Sequence, residues 1–199
     1  PMLLKEFADL LASPLSSLIN ESFLSGRFPS ALKLSIVRPI FKAGSRNECS
    51  NYRPISILSS LSKVYEKVVL SRLWDFLLGN NIILDNQHGF MKSRSTTSAI
   101  FSLINNVVTQ LDSKNHSSGV FFDLSKAFDM VDHDLLLNKL DALGVRGVTS
   151  AWFSSFLKGR KQIVEISAVD DGGSLRRIKS SEAPVSRGVP QGSILGPVL

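Results

Sequence analysis

Three stretches of helical periodicity, residues 2–24, 60–78 and 95–111, lie among short apolar runs of extended character, and the two kinds do not alternate regularly. A doubly wound sheet needs strand and helix in steady succession, so this order predicts an α+β fold. In the first stretch Leu3, Leu4, Phe7, Leu10 and Leu11, then Leu15, Leu18, Ile19 and Phe23 mark one face, with an interruption expected at Pro14. "LSIVRPIFK" has strand composition, and Pro39 within it predicts an edge or irregular strand. Arg53 precedes Pro54 and is thereby pushed toward extended backbone. From Ser60 to Leu78 the residues Leu61, Val64, Tyr65, Val68, Val69, Leu73 and Trp74 form an apolar face punctuated by Lys63, Lys67 and Arg72. Ile100, Leu103, Ile104, Val107, Val108 and Leu111 do the same for a helix from Ser95. Val120, Phe121 and Phe122 read as a buried strand. Asp132 caps a helix with Leu136, Leu137, Leu140 and Leu143 inward and Gly144 at its stop. A short amphipathic helix then carries Trp152, Phe153, Phe156 and Leu157, and "QIVEISAVDDGGSLRRIKS" reads as a hairpin turning at Asp171-Gly172-Gly173.

The 199 residues carry 23 Lys and Arg against 17 Asp and Glu, a net charge of +6. Most of the excess falls between Arg27 and Arg72, where nine cations face only Glu48 and Glu66. This suits a polyanionic partner, although a solvated basic face has the same composition. Cys49 is the single cysteine, which rules out an internal disulfide, and His88, His116 and His133 are too scattered for a zinc site. A reducing intracellular compartment fits. Lys5, Glu6 and Asp9 break the N-terminal apolar residues, unlike a signal peptide, and no run reaches the ~18–20 apolar residues of a membrane span. The chain starts at Pro1 and stops in the apolar "GSILGPVL", so a piece of a longer protein is expected, with Val198 and Leu199 exposed.

Three stretches invite chemistry. Asp123 stands at the end of the Val120–Phe122 run, where a carboxylate is costly to bury unless something pairs with it. A strand end is a good place to hold Mg²⁺, which takes one or two carboxylates and leaves its other positions to water and phosphate. Asp129, Asp132 and Asp134 follow, and read as turn and cap residues. In "SRGVPQGSILGP" three glycines permit close backbone approach, Pro190 stiffens the entry, and Gln191 is expected to point outward. In "RPIFKAG" and "SNYRPIS" Lys42 and Arg53 flank a loop expected to be flexible enough to close two cations on a phosphate. Each stretch alone also reads as an ordinary surface turn or basic hairpin.

Together, "FPSALKLSIVRPIFKAG", "NYRPISILSSLSKVYEKVV", "QHGFMKSRSTTSAI", "FFDLSKAFDMVDH" and "GVPQGSILGP" resemble, in order, the reverse transcriptase domain of jockey-like non-LTR retrotransposons from about Leu11 onward. The resemblance implies a right-hand polymerase, with an N-terminal helical extension over 1–35, fingers over 36–112 and a partial palm over 113–199 that includes a fingers excursion around 134–185. It implies an RNA-directed DNA polymerase using two Mg²⁺ ions, an RNA template, a DNA primer and deoxynucleoside triphosphates. Asp123 would be the first metal-binding aspartate, with the Leu124 carbonyl a further ligand. Phe128 would be the gate that rejects a 2′-OH. Lys42, Arg53 and, more weakly, Lys63 would clamp the triphosphate, while Gln191 and Gly192 would line the nucleotide pocket. Gly89, Lys92 and Arg94 would lie along the template. A retroelement ribonucleoprotein of cytoplasm and nucleus is implied.

Two departures stand out. Met91 occupies a position where relatives usually have Arg. The family's Tyr/Phe-x-Asp-Asp hairpin, source of the second metal-binding carboxylate, is expected after Leu199, so these residues alone are expected to be inactive. The alternative from another class is a non-catalytic nucleic-acid-binding remnant of a degenerate element. A different palm polymerase, intron-encoded or viral, is a third reading, and Phe128 with "NYRPIS" and "GVPQGSILGP" argues against the viral case.

Overall fold

The computed structural model describes residues 2–169 and 172–199. Its contacts define two compact units. One runs up to Leu70 and takes in Lys126–Pro197 and Leu199; the other comprises Ser71–Ser125 with Val198. Both α-helices and a mixed sheet are present, so the α+β expectation holds.

The first unit is built around a sheet of order β2-β1-β3-β4. Its strands are β1 (Leu34–Phe41), β2 (Tyr52–Ile57), β3 (Arg160–Val169) and β4 (Leu175–Lys179), and β5 (Ala183–Val185) also pairs with β3. β1 runs antiparallel to β2, with Pro39 opposite Pro54, and parallel to β3 over Leu34–Val37. The strand with the proline is therefore central at its start and one-sided beyond Val37. Pro39 falls in the one-sided half, where its missing N–H interrupts no second ladder. Alternation sorts the faces: Ser35, Val37 and Ser56 are buried, while Ile40, Arg53 and Ile57 on the opposite face are exposed. On that outer face Arg38 Nε donates to Glu165 Oε1 at 2.8 Å, and Lys179 lies 3.7 Å from the same carboxylate. These cations, Arg38 foremost, hold the Glu165 carboxyl below the usual carboxylate range.

Three helices cover the unit. α2 (Ala8–Ser25) follows a short α1 (Met2–Glu6), and α6 (His133–Ala142) and α2 both pack on α7 (Gly147–Leu157). The break in the N-terminal stretch comes at Phe7, not at Pro14, which sits inside α2. The carbonyl that loses its donor there belongs to Leu10, an exposed residue whose oxygen can bond water, so the helix continues. The other end of α2 is held by aromatic packing. Trp152 stacks on Phe156 at 5.6 Å and meets Phe23 and Phe28 edge-on at 5.7 and 5.5 Å. Its indole N–H donates to Ser22 Oγ at 3.0 Å, whose own hydroxyl caps Arg27 O. The buried guanidinium of Arg160 lies over Phe156 at 5.1 Å and donates to the Phe156 carbonyl. Burial disfavours its charge, and the Glu66 carboxylate opposes that effect.

α6 and α7 follow the sequence reading. Asp132 accepts from Asp134 N and Leu135 N, an N-cap that lowers its carboxyl pKa, and Gly144 takes a positive φ of 99° at the stop. Leu136 and Leu140 are buried, but Leu143 lies past the helix end and is exposed. The hairpin forms between β3 and β4. Of its predicted turn, Asp171 is outside the described residues, and Gly173 has φ +78°. Val198 and Leu199 are half-buried, contrary to expectation, and the Leu199 N–H bonds back to the Leu195 carbonyl at 3.1 Å.

α3 (Ser60–Gly79) carries the boundary between the units. Its buried stripe is Ser62, Tyr65, Glu66 and Val69 in the first unit, then Leu73 and Leu77 in the second. The second unit also contains α4 (Thr96–Asp112), capped by a Ser95–Ser98 box as the sequence reading places it. The apolar face of α4 is exposed apart from a half-buried Val107, with no fully buried residue along it. The expected strand at Val120–Phe122 is absent. These residues form no ladder, and Phe121 and Phe122 are 83% and 89% exposed. Apolar composition favours an extended chain, but a strand needs a neighbour to take its N–H and C=O groups, and among the described residues none does so.

Trp152 carries the aromatic cluster, so Trp152→Ala should destabilise the first unit by about 3–5 kcal/mol. A urea titration followed by circular dichroism reads this as a lowered midpoint, and Trp152→Phe, which keeps the stacking but loses the bond to Ser22, should fall between the two.

Candidate functional site

The segment Arg187–Pro197 has no regular secondary structure, so its polar backbone must look to neighbours for partners. Many of its groups find them in other elements. Gly188 N donates to Val131 O and Val189 N to Phe128 O, both at 2.7 Å. These two bonds join it to the turn around α5 (Ala127–Met130). His133 Nε2 bonds the Gly188 carbonyl at 2.8 Å from the first turn of α6. Ser56 N on β2 donates to Gln191 O at 2.8 Å. Downstream, Ile194 N and Leu195 N donate to Glu66 Oε2 at 2.7 and 3.2 Å, and the other oxygen accepts from Ser62 at 2.8 Å. The "GVPQGSILG" loop thus sits where β2, α3 and the Phe128 turn converge.

Close approach explains two of its glycines. A Cβ on Gly188, at φ +83°, would fall 2.8 Å from Phe128 O and 2.9 Å from Asp129 O. A Cβ on Gly192, at φ +130°, would fall 2.5 Å from Ser56 O. Backbone contact with β2 thus demands Gly192, independently of any substrate. Gln191 is half-buried, and its side-chain amide has no hydrogen-bond partner among the described residues. Phe128 is half-buried, while Asp129 beside it is exposed.

β2 also carries Arg53, which pairs across the ladder with Ile40 and is exposed in extended backbone as the sequence implies. Lys42 lies just past the end of β1, with its N–H on Asn51 O at 2.8 Å, on the same face as Ile40 and Arg53. The loop between them is tied rather than slack. Asn51 Nδ2 donates to Ser45 O at 2.9 Å, Tyr52 OH to Arg46 O at 2.9 Å, and Arg46 lies over the Phe41 ring at 4.7 Å. Strand register, not loop flexibility, sets Lys42 two residues beyond the Ile40–Arg53 pair. Lys63 is exposed on the first turn of α3. All six residues read from sequence as nucleotide-binding lie in the first unit: Lys42, Arg53, Lys63, Phe128, Gln191 and Gly192.

The remaining residues lie in the second unit. Asp123 and Leu124 are exposed, and no hydrogen bond or ion pair from the described residues engages the Asp123 carboxylate. No cluster of three or more His, Cys, Asp or Glu able to hold a metal occurs among the described residues. One free carboxylate beside a backbone carbonyl remains compatible with Mg²⁺, which fills its shell with water and phosphate oxygens. Gly89 and Lys92 are exposed. Arg94 is turned back on its own loop, donating to the carbonyls of Asp85 and Gln87. In this arrangement it shapes the "QHGFMKSR" turn and leaves Lys92 as that loop's outward cation.

Two residues of the site escaped the sequence reading. His133, too far from the other histidines in sequence for a zinc site, bridges two motifs. Glu66 was visible as an acid among apolar helix residues, since it falls one position after Tyr65 on the buried stripe.

A family model described as reverse transcriptase (RNA-dependent DNA polymerase) matches residues 40–199. Relatives in Drosophila melanogaster include the probable RNA-directed DNA polymerase from transposon BS, 35% identical over 86% of this chain, and that from transposon X-element, 34% identical over 86%. The RNA-directed DNA polymerase from mobile element jockey in the same organism is 33% identical over 93%. The chain spans only 18%, 18% and 19% of these three relatives. No helix among the described residues is long and apolar enough to cross a membrane. With most of its length matched by the family model and three relatives above 30% identity, this chain belongs to the reverse transcriptase family of non-LTR retrotransposons.

Proposed function

We propose that the protein containing this chain copies RNA into DNA, a nucleotidyl transfer in which a DNA primer is extended with deoxynucleoside triphosphates. One observation carries the reading: the backbone bonds that bring the Gln191 loop, the Phe128 turn and the Arg53-bearing strand together in one unit. Phe128 stands in the turn whose carbonyl holds Val189, two residues before Gln191, and in this reading its ring is the surface that a sugar bound against Gln191 would meet. A 2′-OH would then clash with an apolar surface that offers it no hydrogen bond. Arg53 and Lys42, exposed on one sheet face, would hold the triphosphate with charge-assisted bonds, with Lys63 as a further cation.

Asp123 and the Leu124 carbonyl would hold Mg²⁺, which when bound supplies charge neutralisation at the phosphates. The second pair of metal-binding aspartates is assigned to the longer protein. Fingers over 36–112 and the first half of a palm over 113–199 are functional divisions along the sequence, whereas the compact units divide near residues 70 and 125. Gly89 and Lys92 are the residues available to a template strand. The cell compartment proposed is that of a retroelement ribonucleoprotein, cytoplasm and nucleus.

In the full-length protein Asp123→Ala should abolish primer extension on an RNA template while leaving RNA affinity within about twofold, since that affinity rests on phosphate contacts. Normal extension by this variant would remove Asp123 from the reaction. Phe128→Val should admit ribonucleotides, lowering the ratio of deoxy- to ribonucleotide kcat/KM by about tenfold or more. Unchanged discrimination in single-nucleotide incorporation would place the gate elsewhere.

A further inference from the structure

Glu66 is fully buried, and a carboxylate in that position is costly where leucine would fill the same stripe of α3. Its hydrogen bonds show what it does there. One oxygen is fixed by Ser62 from the preceding turn, and the other receives two consecutive backbone amides, Ile194 and Leu195. The amides lie three and four residues after Gln191, beyond a turn closed by Ser193 N on Pro190 O and within one closed by Gly196 N on Ser193 Oγ. Upstream, the loop is held by Phe128, Val131 and His133, and Gln191 itself by β2. Among the described residues, Glu66 is the side chain outside the loop that fixes its downstream end. One turn before it on the same helix stands Lys63, exposed.

We propose that Glu66 is a positioning residue for nucleotide binding: it sets the conformation of Gln191 and Gly192 through the Ile194 and Leu195 amides and never touches substrate. The inference rests on the reading of Gln191 as part of the nucleotide pocket. Loss of the carboxylate releases the downstream end of the loop, so Gln191 must be ordered by each incoming nucleotide at the expense of affinity. The effect falls on the KM for nucleotide more than on kcat.

The test is single-nucleotide primer extension by the full-length protein on an RNA template. Glu66→Ala should raise the nucleotide KM about tenfold, the weight of one charge-assisted hydrogen bond, with kcat within about threefold. Glu66→Gln keeps an acceptor oxygen for the two amides and should restore most of the loss. Phe23→Ala, which thins the aromatic cluster away from the loop, serves as the destabilised control and should leave KM unchanged. Equal KM shifts in Glu66→Ala and Phe23→Ala would overturn the proposal. If Glu66→Ala does not fold, Ser62→Ala decides, since alanine suits a helix and only frees one carboxylate oxygen. It should raise KM about two- to fourfold, again with kcat nearly constant, and an unchanged KM would overturn the proposal. Gln191→Ala separates the two levels of the argument. If it leaves KM unchanged, the pocket reading falls and this inference with it; if it raises KM while Glu66→Ala does not, only this inference falls.

Discussion

The backbone of residues 188–196 has no helix or strand of its own, and the candidate site depends on where its hydrogen bonds go. A loop that buries N–H and C=O groups must satisfy them or lose a few kcal/mol for each. Here the Phe128–Val131 turn, the Ser56 amide, His133 and Glu66 supply the partners. Each comes from a different element, so the loop orders only once β2, α3, α5 and α6 are in place. The same bonds bring together residues that lie far apart in sequence.

This requirement changes how the glycines are understood. Gly188 and Gly192 are demanded by the Phe128, Asp129 and Ser56 backbone, at distances no Cβ tolerates. A "G-x-P-x-G" pattern is therefore a packing signature first, and room for a substrate follows from the packing. Arg94 teaches a similar lesson, since a cation in a basic motif is bound here to two carbonyls of its own turn.

Much was legible in the sequence because it depends on local physics. The Asp132 cap, the Ser95 helix start, the extended Arg53 before Pro54 and the buried Trp152, Phe153, Phe156 and Leu157 each follow from residues within a turn or two. What failed depends on distant partners. The Val120–Phe122 run looks like a strand, but composition cannot say whether a neighbouring strand exists to pair with it. Pro39 predicts an edge or irregular strand, which holds for the half of β1 beyond Val37, but no local signal shows that β3, more than a hundred residues later, makes the first half central. Pro14 signalled a break that the packing of Ser22 and Phe23 on Trp152 helps to override. Lys42, Arg53, Lys63, Phe128, Gln191 and Gly192 were named from motifs; their gathering in one unit, and the parts played by Glu66 and His133, required the tertiary hydrogen bonds.

The central claim is that a nucleotide binds where β2, the Phe128 turn and the Gln191 loop converge. Its most direct test is photo-crosslinking of the full-length protein, on a primed RNA template, with a base-modified photoreactive deoxynucleoside triphosphate, followed by mapping of the labelled peptides. The account predicts label within residues 52–57, 126–133 and 186–197, competed away by the matching unmodified nucleotide. Competable label confined to the β3–β4 hairpin or to α2, with none in those three segments, would contradict it.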